Sequence, residues 1–455
     1  MTDILIQPTL AERIEALVEV DGTNKAALRT LLAEYHPADI AEVLDELSDR
    51  AQLAVFNLLS REIASEVLDE TDPEVMRYIF EELPDERLAD LLEELPMDDA
   101  ARLLAELPDE NAETLLQLME PEDAAEVMDL LGYPEESAGR LMTDKFVRLR
   151  SEWTITEAID YLRHIDPETE TVAYLYVVNE QEQLIGVVPL RAMLTSQPER
   201  TVGELATPRV ISVTVDTDRE ELAEIVAKYD FSAIPVVDAE GRLRGIVTVD
   251  DVVDILEEEA TEDIQRLGGS EPLDQPYFTV PILTIARKRI VWLLLLFFGG
   301  TLTSTVMSLF EEELSRALTL SYFIPLLIGT GGNAGSQTVS TVIRALAVGD
   351  IEWRNGIRVL VRELSIGLVV GGILGIVGLL YALIFWDASL PLALVVGLTL
   401  PVICTWSKTV ASLVPLVAEN VGIDPTVVSA PLITTIVDAT GLAIYFLIAK
   451  MLLGL

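Results

Sequence analysis

The chain contains almost no cysteine or histidine. Its 455 residues include one cysteine, Cys404, and two histidines, His36 and His164. A lone cysteine forms no disulfide within one chain, and a thiolate zinc site needs several cysteines. No nucleophile–base pair is evident, and the two histidines stand apart, so we expect no enzyme activity. The N-terminal residues lack a basic segment followed by an apolar core, which predicts no signal peptide and a cytosolic N-terminal half.

Basic residues are scarce outside the C-terminal third. The chain has 31 Lys and Arg against 76 Asp and Glu, a formal net charge of −45. Residues 1–140 carry 37 acidic and 9 basic residues, residues 141–280 carry 29 and 12, and residues 281–455 carry 10 of each. Such an acidic surface repels nucleic acid and attracts cations. The alternative interpretation is a solvated acidic surface, as in a salt-adapted organism.

Residues 1–137 predict an acidic, all-α superhelical domain. The related tetrapeptides LPDE, LPMD and LPDE begin at Leu83, Leu95 and Leu107, at equal intervals along the chain. Proline and acidic residues both suit the first turn of a helix. Helices this short are marginal alone, so we expect them to stack on one another.

Residues 138–248 contain two similar halves. YVVN at Tyr176 followed by LIGVV at Leu184 matches PVVD at Pro235 followed by LRGIV at Leu243, and the offset is the same for both pairs of segments. Each half predicts a strand, a polar turn, a strand and a helix, preceded by an amphipathic helix. This α/β pattern resembles tandem CBS modules. The amphipathic helices are predicted over Thr154–His164 and Asp218–Tyr229.

Residues 249–268 predict one acidic helix, which Gly268 and Gly269 end. This helix makes up most of a connecting segment, 249–270. Many of its acidic residues are spaced at i, i+3 and i+4, where like charges repel. Cations between this helix and an acidic neighbour would relieve the repulsion, and the repeat domain offers Asp98 and Asp99. A solvated acidic face is the alternative. The acidic residues are Asp250, Asp251, Asp254, Glu257, Glu258, Glu259, Glu262 and Asp263.

Residues 271–455 predict an all-α polytopic transmembrane domain of five helices. Each of five apolar segments meets the roughly 20 residues that a spanning helix needs. Lys and Arg cluster before the first segment and between the second and third, which predicts a cytosolic N-terminus and an external C-terminus. We therefore expect a multi-pass protein of the cell (inner) membrane, in contact with its lipid. The segments are 290–310, 319–347, 357–386, 390–418 and 426–454.

The second segment contains the run GTGGNAGSQ, from Gly329 to Gln337. A helix is weakened by so many glycines close together, and broken backbone within lipid is tolerated only where protein or water covers it. The run therefore predicts a pore-lining bend with free carbonyls, and Gly329, Gly332 and Asn333 are the candidate pore residues. A tight helix crossing is the alternative.

Asp438 lies deep within the fifth segment. Even the low values for the free-energy cost of an unpaired charge there are about 2.5–3.5 kcal/mol, so we expect the residue to be functional. The alternative is a salt bridge with Lys408 of the fourth segment. A hydrated Mg2+ needs a carboxylate and polar oxygens, which Asp438, Asn333 and exposed carbonyls supply. The lack of imidazole and thiolate groups nearby disfavours zinc or copper.

The order of acidic helical repeat, paired CBS modules, acidic connecting helix and five spans resembles the MgtE family of magnesium channels over essentially the whole chain. The most specific motifs are GTGGNAGSQ, TVDDVVDILEEEATEDI and TTIVDATGL. The resemblance implies a homodimer with a pore on its axis, and Mg2+ uptake gated by cytosolic Mg2+ that bridges the acidic domains and closes the pore through the connecting helices. Asp438 would match the acid that holds hydrated Mg2+, and Asp424 another metal-contacting acid.

The resemblance also implies regulatory Mg2+ sites and ATP binding by the CBS modules. Two departures stand out: Lys408 replaces a usually uncharged residue, and Arg102 replaces the acid expected after Asp98. The implied regulatory metal ligands are Asp98, Glu220, Asp230, Asp251, Asp254, Glu259, Glu262 and Asp263. The implied ATP contacts are Tyr174, Arg191, Phe231, Thr248 and Asp251, with Thr248 and Asp251 forming a T-x-x-D motif.

Two other classes of function are open at this point. One is a cation-coupled carrier of divalent metals in which Asp438 takes up a proton. The other is a non-conducting, membrane-anchored sensor of Mg2+ or nucleotide in which Lys408 neutralises Asp438.

Overall fold

The structure, a computed structural model, describes residues 9–19, 24–105, 107–165, 169, 171–273, 277 and 280–454. The chain divides into two compact units, Met1–Glu259 and Ala260–Leu455, and each is considered by itself. The first eight residues, on which the signal-peptide prediction partly rests, lie outside the described residues.

The first part of unit one consists of short helices that pack chiefly on the helix two positions further along the chain. Pro84 and Pro108 stand at the N-cap, one residue before the helical turn that the sequence predicted for them. Proline fits at this position as well, because its missing N–H is not needed for a helical hydrogen bond there. The helices are α1 (Leu10–Glu19), α2 (Lys25–Leu32), α3 (Pro37–Leu44), α4 (Asp49–Phe56), α5 (Arg61–Asp69), α6 (Pro73–Glu82), α7 (Asp85–Leu92), α8 (Met97–Ala105), α9 (Asp109–Leu118) and α10 (Pro121–Leu131).

The second part of unit one has two three-stranded sheets with the same topology. In each sheet the first strand pairs parallel, and the third antiparallel, to the central strand. Val177 lies opposite Gly186 in the first sheet, and Val236 lies opposite Gly245 at the equivalent place in the second, so the repeat fixes the same register twice. The elements are β1 (Phe146–Arg150), α11 (Ile155–Leu162), β2 (Thr171–Val178), β3 (Leu184–Pro189), α12 (Leu190–Leu194), α13 (Val202–Leu205), β4 (Val213–Thr214), α14 (Arg219–Tyr229), β5 (Ala233–Val237), β6 (Leu243–Thr248) and α15 (Val249–Leu267).

One apolar core runs from the helical repeats into the second module. Val252 and Ile255 of α15 belong to the same buried cluster as Ala100 and Leu104 of α8. The spacing of Val252 and Ile255 places both on one helix face. The first half of α15 therefore has an apolar side against the rest of unit one, and its acidic residues lie on its other sides.

Unit two is helical. In it α16 packs on α21, α18 packs on α20 and α21, and α19 packs on α20. The helices are α16 (Ile282–Leu309), α17 (Glu311–Arg316), α18 (Ile324–Ala347), α19 (Gly356–Phe385), α20 (Leu390–Asn420) and α21 (Ala430–Leu453), with 3-10 turns at Leu318–Phe323, Trp353–Asn355 and Pro425–Val427.

Four helices among the described residues are long and apolar enough to cross a membrane: α16, Trp353–Phe385, α20 and α21. The predicted second span corresponds to α18, which has 24 residues but does not meet the same criterion. Its glycines and its Ser, Thr, Asn and Gln side chains lower its hydropathy. The multidomain fold class is confirmed, whereas the prediction of five spanning helices is not.

Candidate functional site

Arg102 of α8 lies among acidic side chains from several helices of unit one. Its guanidinium pairs with Asp69 Oδ1 of α5, and its Nη2 is 3.6 Å from Asp99 Oδ1. Burial raises the pKa of Asp254 on α15, and the nearby Arg102 charge opposes that shift. Asp98 precedes this cluster by one turn of α8. The structure thus brings the predicted metal ligand Asp254 into the surroundings of an arginine.

A second arginine meets the predicted ligand Glu259. Arg219, the first residue of α14, lies 2.9 Å from Glu259 Oε1 and 2.9 Å from Glu258 Oε2 of α15. It also lies 2.8 Å from Glu136 Oε2, which precedes the first module. Arg219 is half-buried, and these three carboxylates raise its pKa although burial alone would lower it. The ion pairs hold α14 against α15.

Thr248 and Asp251 of the T-x-x-D motif are in direct contact. Thr248 Oγ1 donates to Asp251 Oδ2 at 2.7 Å. Burial raises the pKa of Asp251 to about 6, and the hydrogen bonds from Thr248 oppose the shift. The contact also stabilises the start of α15, because a side chain in the first helical turn accepts hydrogen bonds from the residue that precedes it.

The other predicted nucleotide contacts are spread over both modules. Tyr174 is half-buried on β2, Arg191 is exposed on α12, and Phe231 stacks on Tyr229 with ring centroids 5.5 Å apart. Phe231 also lines a cleft of about 330 Å³ between α14 and α15. Thr248 precedes the cleft residue Val249, so Phe231 and Thr248 are close, while Tyr174 and Arg191 belong to the other module.

The remaining predicted regulatory ligands of unit one lie at the two ends of α14. Glu220 is in the first turn of α14, and Asp230 is its C-cap in the left-handed conformation, with φ of 54°. Asp230 also lines the cleft. Since α14 has 11 residues, or about 16 Å at 1.5 Å per residue, these two carboxylates of one chain do not meet.

Arg266 at the end of α15 links two more predicted ligands within unit two. It pairs with Glu262 one turn earlier, and its Nη1 donates to Asp424 Oδ2 at 2.7 Å. Asp424 also accepts from Thr426 Oγ1 at 2.6 Å and from the Thr426 backbone N–H at 2.8 Å. Burial raises the pKa of Asp263, and the nearby Asp424 carboxylate adds to that shift. Three predicted ligands, Glu262, Asp263 and Asp424, therefore surround this one arginine.

The glycine-rich run does not interrupt the helix. Helix α18 is continuous through it, so the predicted break in the backbone is wrong and the tight helix crossing is right, while the pore-lining role of the run stays a prediction. A Cβ on Gly331 would lie 2.6 Å from Ile403 Cγ2, and one on Gly335 would lie 2.6 Å from Ser407 Oγ. The Gly331 carbonyl accepts from Ser407 Oγ at 2.6 Å, so it is not free. The glycines let α18 approach α20 closely, which keeps the helix intact.

Asp438 lies on α21 beside the glycine face of α18. A Cβ on Gly332 would be 3.7 Å from Asp438 Oδ1. Gly329 and Asn333 are exposed one turn apart on α18, whereas Gly332 is buried. Among the residues that the structure describes, no hydrogen bond or ion pair involves the half-buried Asp438 carboxylate.

Lys408 does not pair with Asp438, so the alternative of a salt bridge between them is wrong. Its Nζ lies 3.7 Å from Glu363 Oε2 of α19 and donates to Thr338 Oγ1 at 2.8 Å. Thr338 in turn donates to Glu363 at 3.2 Å, which joins α18, α19 and α20. Glu363 was not predicted as a partner of Lys408. An acid inside one apolar helix and a lysine inside another were the available signal.

No group of three or more His, Cys, Asp or Glu side chains within the described ranges could hold a metal ion. The carboxylates around Arg102, Arg219 and Arg266 instead each share their surroundings with an arginine, and Asp438 is a single acid. A metal at Asp438 would therefore need further ligands, from water or from a second chain.

Two features define the class of protein. The spanning helices present one carboxylate without a partner among the described residues, and the same chain carries helical repeats and two CBS-like modules. Together these features define a multi-pass membrane transport protein. The family model described as a divalent cation transporter, MgtE, matches residues 324–448. The MgtE intracellular N domain matches residues 35–136, and the CBS domain matches residues 138–199 and 202–258.

Relatives of known name resemble the chain along most of its length. It is 40% identical over 442 residues to the magnesium transporter MgtE of Thermus thermophilus, covering 96% of this chain and 97% of that protein. It is 34% identical over 320 residues to MgtE of Bacillus subtilis, covering 70% of each. The chain therefore belongs to the MgtE family of divalent cation transporters.

Two solved structures resemble the N-terminal part. The cytosolic domain of the Mg2+ channel MgtE in complex with ATP is 43% identical, with a TM-score of 0.50, and covers 53% of this chain and 97% of that structure. The soluble part of a magnesium transporter is 31% identical, with a TM-score of 0.51, and covers 55% of this chain and all of that structure.

Proposed function

We propose that the protein is a Mg2+ channel for uptake across the cell (inner) membrane, with its N-terminus in the cytoplasm. The observation that carries the proposal is Asp438, a carboxylate without a partner among the described residues, beside the small-residue face of α18. Mg2+ loses its water reluctantly and is bound through one or two carboxylates with several waters retained. The relatives are named as magnesium transporters, which supports the same transported ion here.

A homodimer completes this site. One chain supplies only Asp438, whereas a symmetric pair supplies two carboxylates around one axis. Gly329 and Asn333 are exposed in one chain, and the most apolar stretch of α16 has no buried residue. Membrane lipid and a second copy are the partners that would cover these faces. Asn333 then faces the ion, as its amide oxygen suits a hydrated Mg2+.

Cytosolic Mg2+ regulates this channel. The predicted ligands Asp98, Asp251, Asp254 and Glu259 are acids of unit one, where the negative charge of the chain is concentrated. Mg2+ that bound them together with Glu220, Asp230, Glu262 and Asp263 would favour the state in which these acids are close. The population then shifts towards that state as Mg2+ rises. We propose that it is the closed one.

ATP is a ligand of the second CBS module. A related cytosolic domain was solved with ATP. Phe231 and Thr248 adjoin the cleft between α14 and α15, and Asp251 is held by Thr248. The aromatic ring suits a base, and Asp251 suits a ribose hydroxyl, whereas Tyr174 and Arg191 would have to contribute from the first module.

The non-conducting sensor has lost its support, because Lys408 pairs with Glu363 and not with Asp438. The channel is tested by Mg2+ flux into liposomes that contain the wild type, Asp438→Asn or Asp350→Asn. Asp350 is exposed in the loop between α18 and α19, so its variant is the matched control for loss of one carboxylate. We expect flux in the wild type and the control, and only the background of empty liposomes in Asp438→Asn.

Mg2+ flux that persists in a folded Asp438→Asn protein would contradict the role of this carboxylate. Flux that collapses with a proton uncoupler at a fixed membrane potential would replace the channel by a cation-coupled carrier. The two results are separable because the first concerns one residue and the second concerns the driving force.

A further inference from the structure

Three arginines follow one another along an exposed side of α19. Arg354 lies in the 3-10 turn that leads into the helix, and Arg358 and Arg362 follow at intervals of four residues. This spacing places them on one side of the helix, about 12 Å from first to last at 1.5 Å per residue. All three are exposed, and within the described part of the chain none makes an ion pair or a side-chain hydrogen bond. They are called the arginine row below.

A row of apolar side chains runs beside the arginine row. Trp353, Ile357 and Val361 each precede one of the arginines by one residue, and they are 50%, 81% and 57% exposed. An exposed apolar side chain on a spanning helix is suited to contact with lipid. Tryptophan is enriched at the membrane–water interface, where its ring contacts both acyl chains and headgroups. The start of α19 therefore presents a basic side and an apolar side next to one another.

The packed side of α19 faces α20 and is separate from both rows. A Cβ on Gly367 would lie 2.7 Å from Thr405 Cα, so the two helices are in close contact there. The only acid from 353 to 368 is Glu363, and its carboxylate is 3.7 Å from Lys408 Nζ of α20. Because this acid is engaged with α20, it leaves the arginine row uncompensated.

Other arginines of unit two have carboxylate partners. Arg266 pairs with Glu262 and Asp424, and Arg316 pairs with Glu312. The arginine row differs from them in having three cations and no such partner among the described residues of the unit. A complementary ligand for this face must therefore be anionic and must also cover apolar side chains.

We propose that this face of α19 binds an anionic phospholipid of the cytosolic leaflet. The lipid phosphate lies on the arginine row, and an acyl chain lies along Trp353, Ile357 and Val361. The inference rests on the proposed function, which places the start of α19 on the cytosolic side of the membrane. That leaflet carries anionic lipids, which attract basic residues close to the membrane surface.

The chemistry of arginine suits a phosphodiester. A guanidinium presents a planar fork of donors that matches two phosphate oxygens, and it stays charged throughout the physiological pH range. Arg362 lies deepest along the helix, and its long side chain can extend towards the headgroups while its methylene groups stay among acyl chains. The three arginines can therefore meet headgroups at one level although their Cα atoms do not.

Charge and apolar area favour a lipid over two other occupants. In a two-fold contact between copies of the chain, the same patch faces itself, so the two arginine rows would approach and repel one another. A free phosphate ion would neutralise the arginines but leave Trp353, Ile357 and Val361 uncovered. A phospholipid satisfies both rows at once.

The experiment measures which lipid occupies the surroundings of Trp353. The full-length protein is reconstituted into phosphatidylcholine vesicles with increasing fractions of phosphatidylglycerol that has brominated acyl chains, and then into the reverse mixture. Bromine quenches tryptophan fluorescence on contact, and subtraction of the Trp353→Phe protein isolates the signal of Trp353. The variants are Arg358→Gln, Arg358→Lys and the triple change Arg354→Gln, Arg358→Gln and Arg362→Gln. Arg316→Gln is the matched control, since it removes an exposed arginine of α17 that has its own carboxylate partner.

We expect Trp353 of the wild type to prefer phosphatidylglycerol to phosphatidylcholine. Each arginine changed to glutamine lowers this preference by about 5-fold, which corresponds to about 1 kcal/mol for a basic residue near an anionic surface. Arg358→Lys keeps most of the preference because it keeps the charge, and Arg316→Gln keeps all of it. Added salt weakens the preference in the wild type. The single variant keeps the test valid if the triple variant does not fold.

Equal quenching by the two lipids in the wild type, or an undiminished preference in folded Arg358→Gln and in the triple variant, overturns the inference. A preference abolished by inorganic phosphate at constant ionic strength would make a free anion the occupant. A loss of dimer in the triple variant with unchanged lipid preference would make a second copy the occupant. An absence of Mg2+ flux in a wild type that still prefers phosphatidylglycerol overturns the proposed channel instead, so the two failures are distinguishable.

Discussion

Gly331→Ala tests the close approach of α18 to its neighbours. The Cβ of this alanine would lie 2.6 Å from Ile403 Cγ2 and 3.1 Å from Val437 Cγ1. Carbon atoms pack optimally at about 3.5–4.0 Å, so the first contact is short by about 1 Å. Ile403 is β-branched and has few alternative rotamers to move into. The strain must therefore displace a helix or force a side chain out of its rotamer.

The expected cost follows from two opposing effects. Overpacking of this kind destabilises by about 1–3 kcal/mol. Alanine in place of glycine favours a helix by up to about 1 kcal/mol, which offsets part of that cost. Gly372→Ala on α19 is the matched control, because a Cβ there meets nothing within 4 Å. It should show only the favourable effect.

The assay is thermal melting of the full-length protein in detergent, followed by the fraction that stays monodisperse. We expect Gly331→Ala to melt about 2–12 °C below Gly372→Ala, since about 1 kcal/mol corresponds to about 2–4 °C for domains of this size. Adding Ile403→Ala removes the clashing methyl group. The double variant should therefore lose less stability than the sum of the two single changes.

Equal melting of Gly331→Ala and Gly372→Ala would refute this reasoning, because it would mean that α18 and α20 are further apart than the Cβ geometry implies. Additive losses in the double variant would show that the loss at Gly331 arises elsewhere than at Ile403.

Three further results are expected. Glu363→Gln should lower stability by about 3–5 kcal/mol because it leaves the buried Lys408 charge without its carboxylate, whereas replacing both by apolar residues should be nearly neutral in thermal melting. Burial, and then a hydrogen-bonded neighbouring carboxyl group, raise the pKa of Glu126 from 4.5 to about 7. Because the folded state holds this proton more tightly than the unfolded state, stability should fall as pH rises from about 4.5 through about 7. Glu126→Gln should remove this pH dependence from melting curves. Arg266→Gln should change the melting temperature little, as exposed ion pairs contribute about 0–1 kcal/mol, yet it should weaken inhibition of flux by Mg2+ because it frees α15 from Asp424; unchanged inhibition would exclude that coupling.

The paired modules were the part of the fold most open to sequence reasoning. The matching segments at Tyr176 and Pro235 predicted both hairpins, and the strand register recurs at equivalent positions of the two halves. The parallel strands β1 and β4 were not predicted. Val213–Thr214 is only two residues long, so no alternation of apolar and polar residues could reveal it.

The membrane helices show where local rules fail. Glycine propensity measured in water predicted a break in the run from Gly329 to Gln337, whereas two of its glycines, Gly331 and Gly335, allow close packing against α20 and α21 and α18 stays continuous. Propensity is a weak prior that tertiary contacts override. The same limit applies to Lys408, because its partner Glu363 lies on a different helix, far away in sequence, and only the packing of α19 on α20 brings the two together.

The candidate ligands were identified by residue type, but their partners were not. A pattern of acids predicts negative charge along α15. It does not predict that Arg219 and Arg266 each pair with part of that charge, or that the charge of Arg102 acts on it, since these arginines come from α14, α15 itself and α8. Such pairings depend on three-dimensional placement and not on spacing.

The ion pair between Arg266 and Asp424 is also a mechanical linkage. Asp424 caps the Pro425–Val427 turn through Thr426, and α21 begins shortly after that turn, at Ala430. The short connection leaves little chain to absorb displacement between Arg266 and α21. A shift of the end of α15 by more than the reach of a hydrogen bond must either break the pair or pull on the start of α21, the helix that carries Asp438. Lengthening the chain between Asp424 and Ala430 with glycines would then leave both ends folded but make the connection flexible. A displacement of Arg266 would no longer move Asp438.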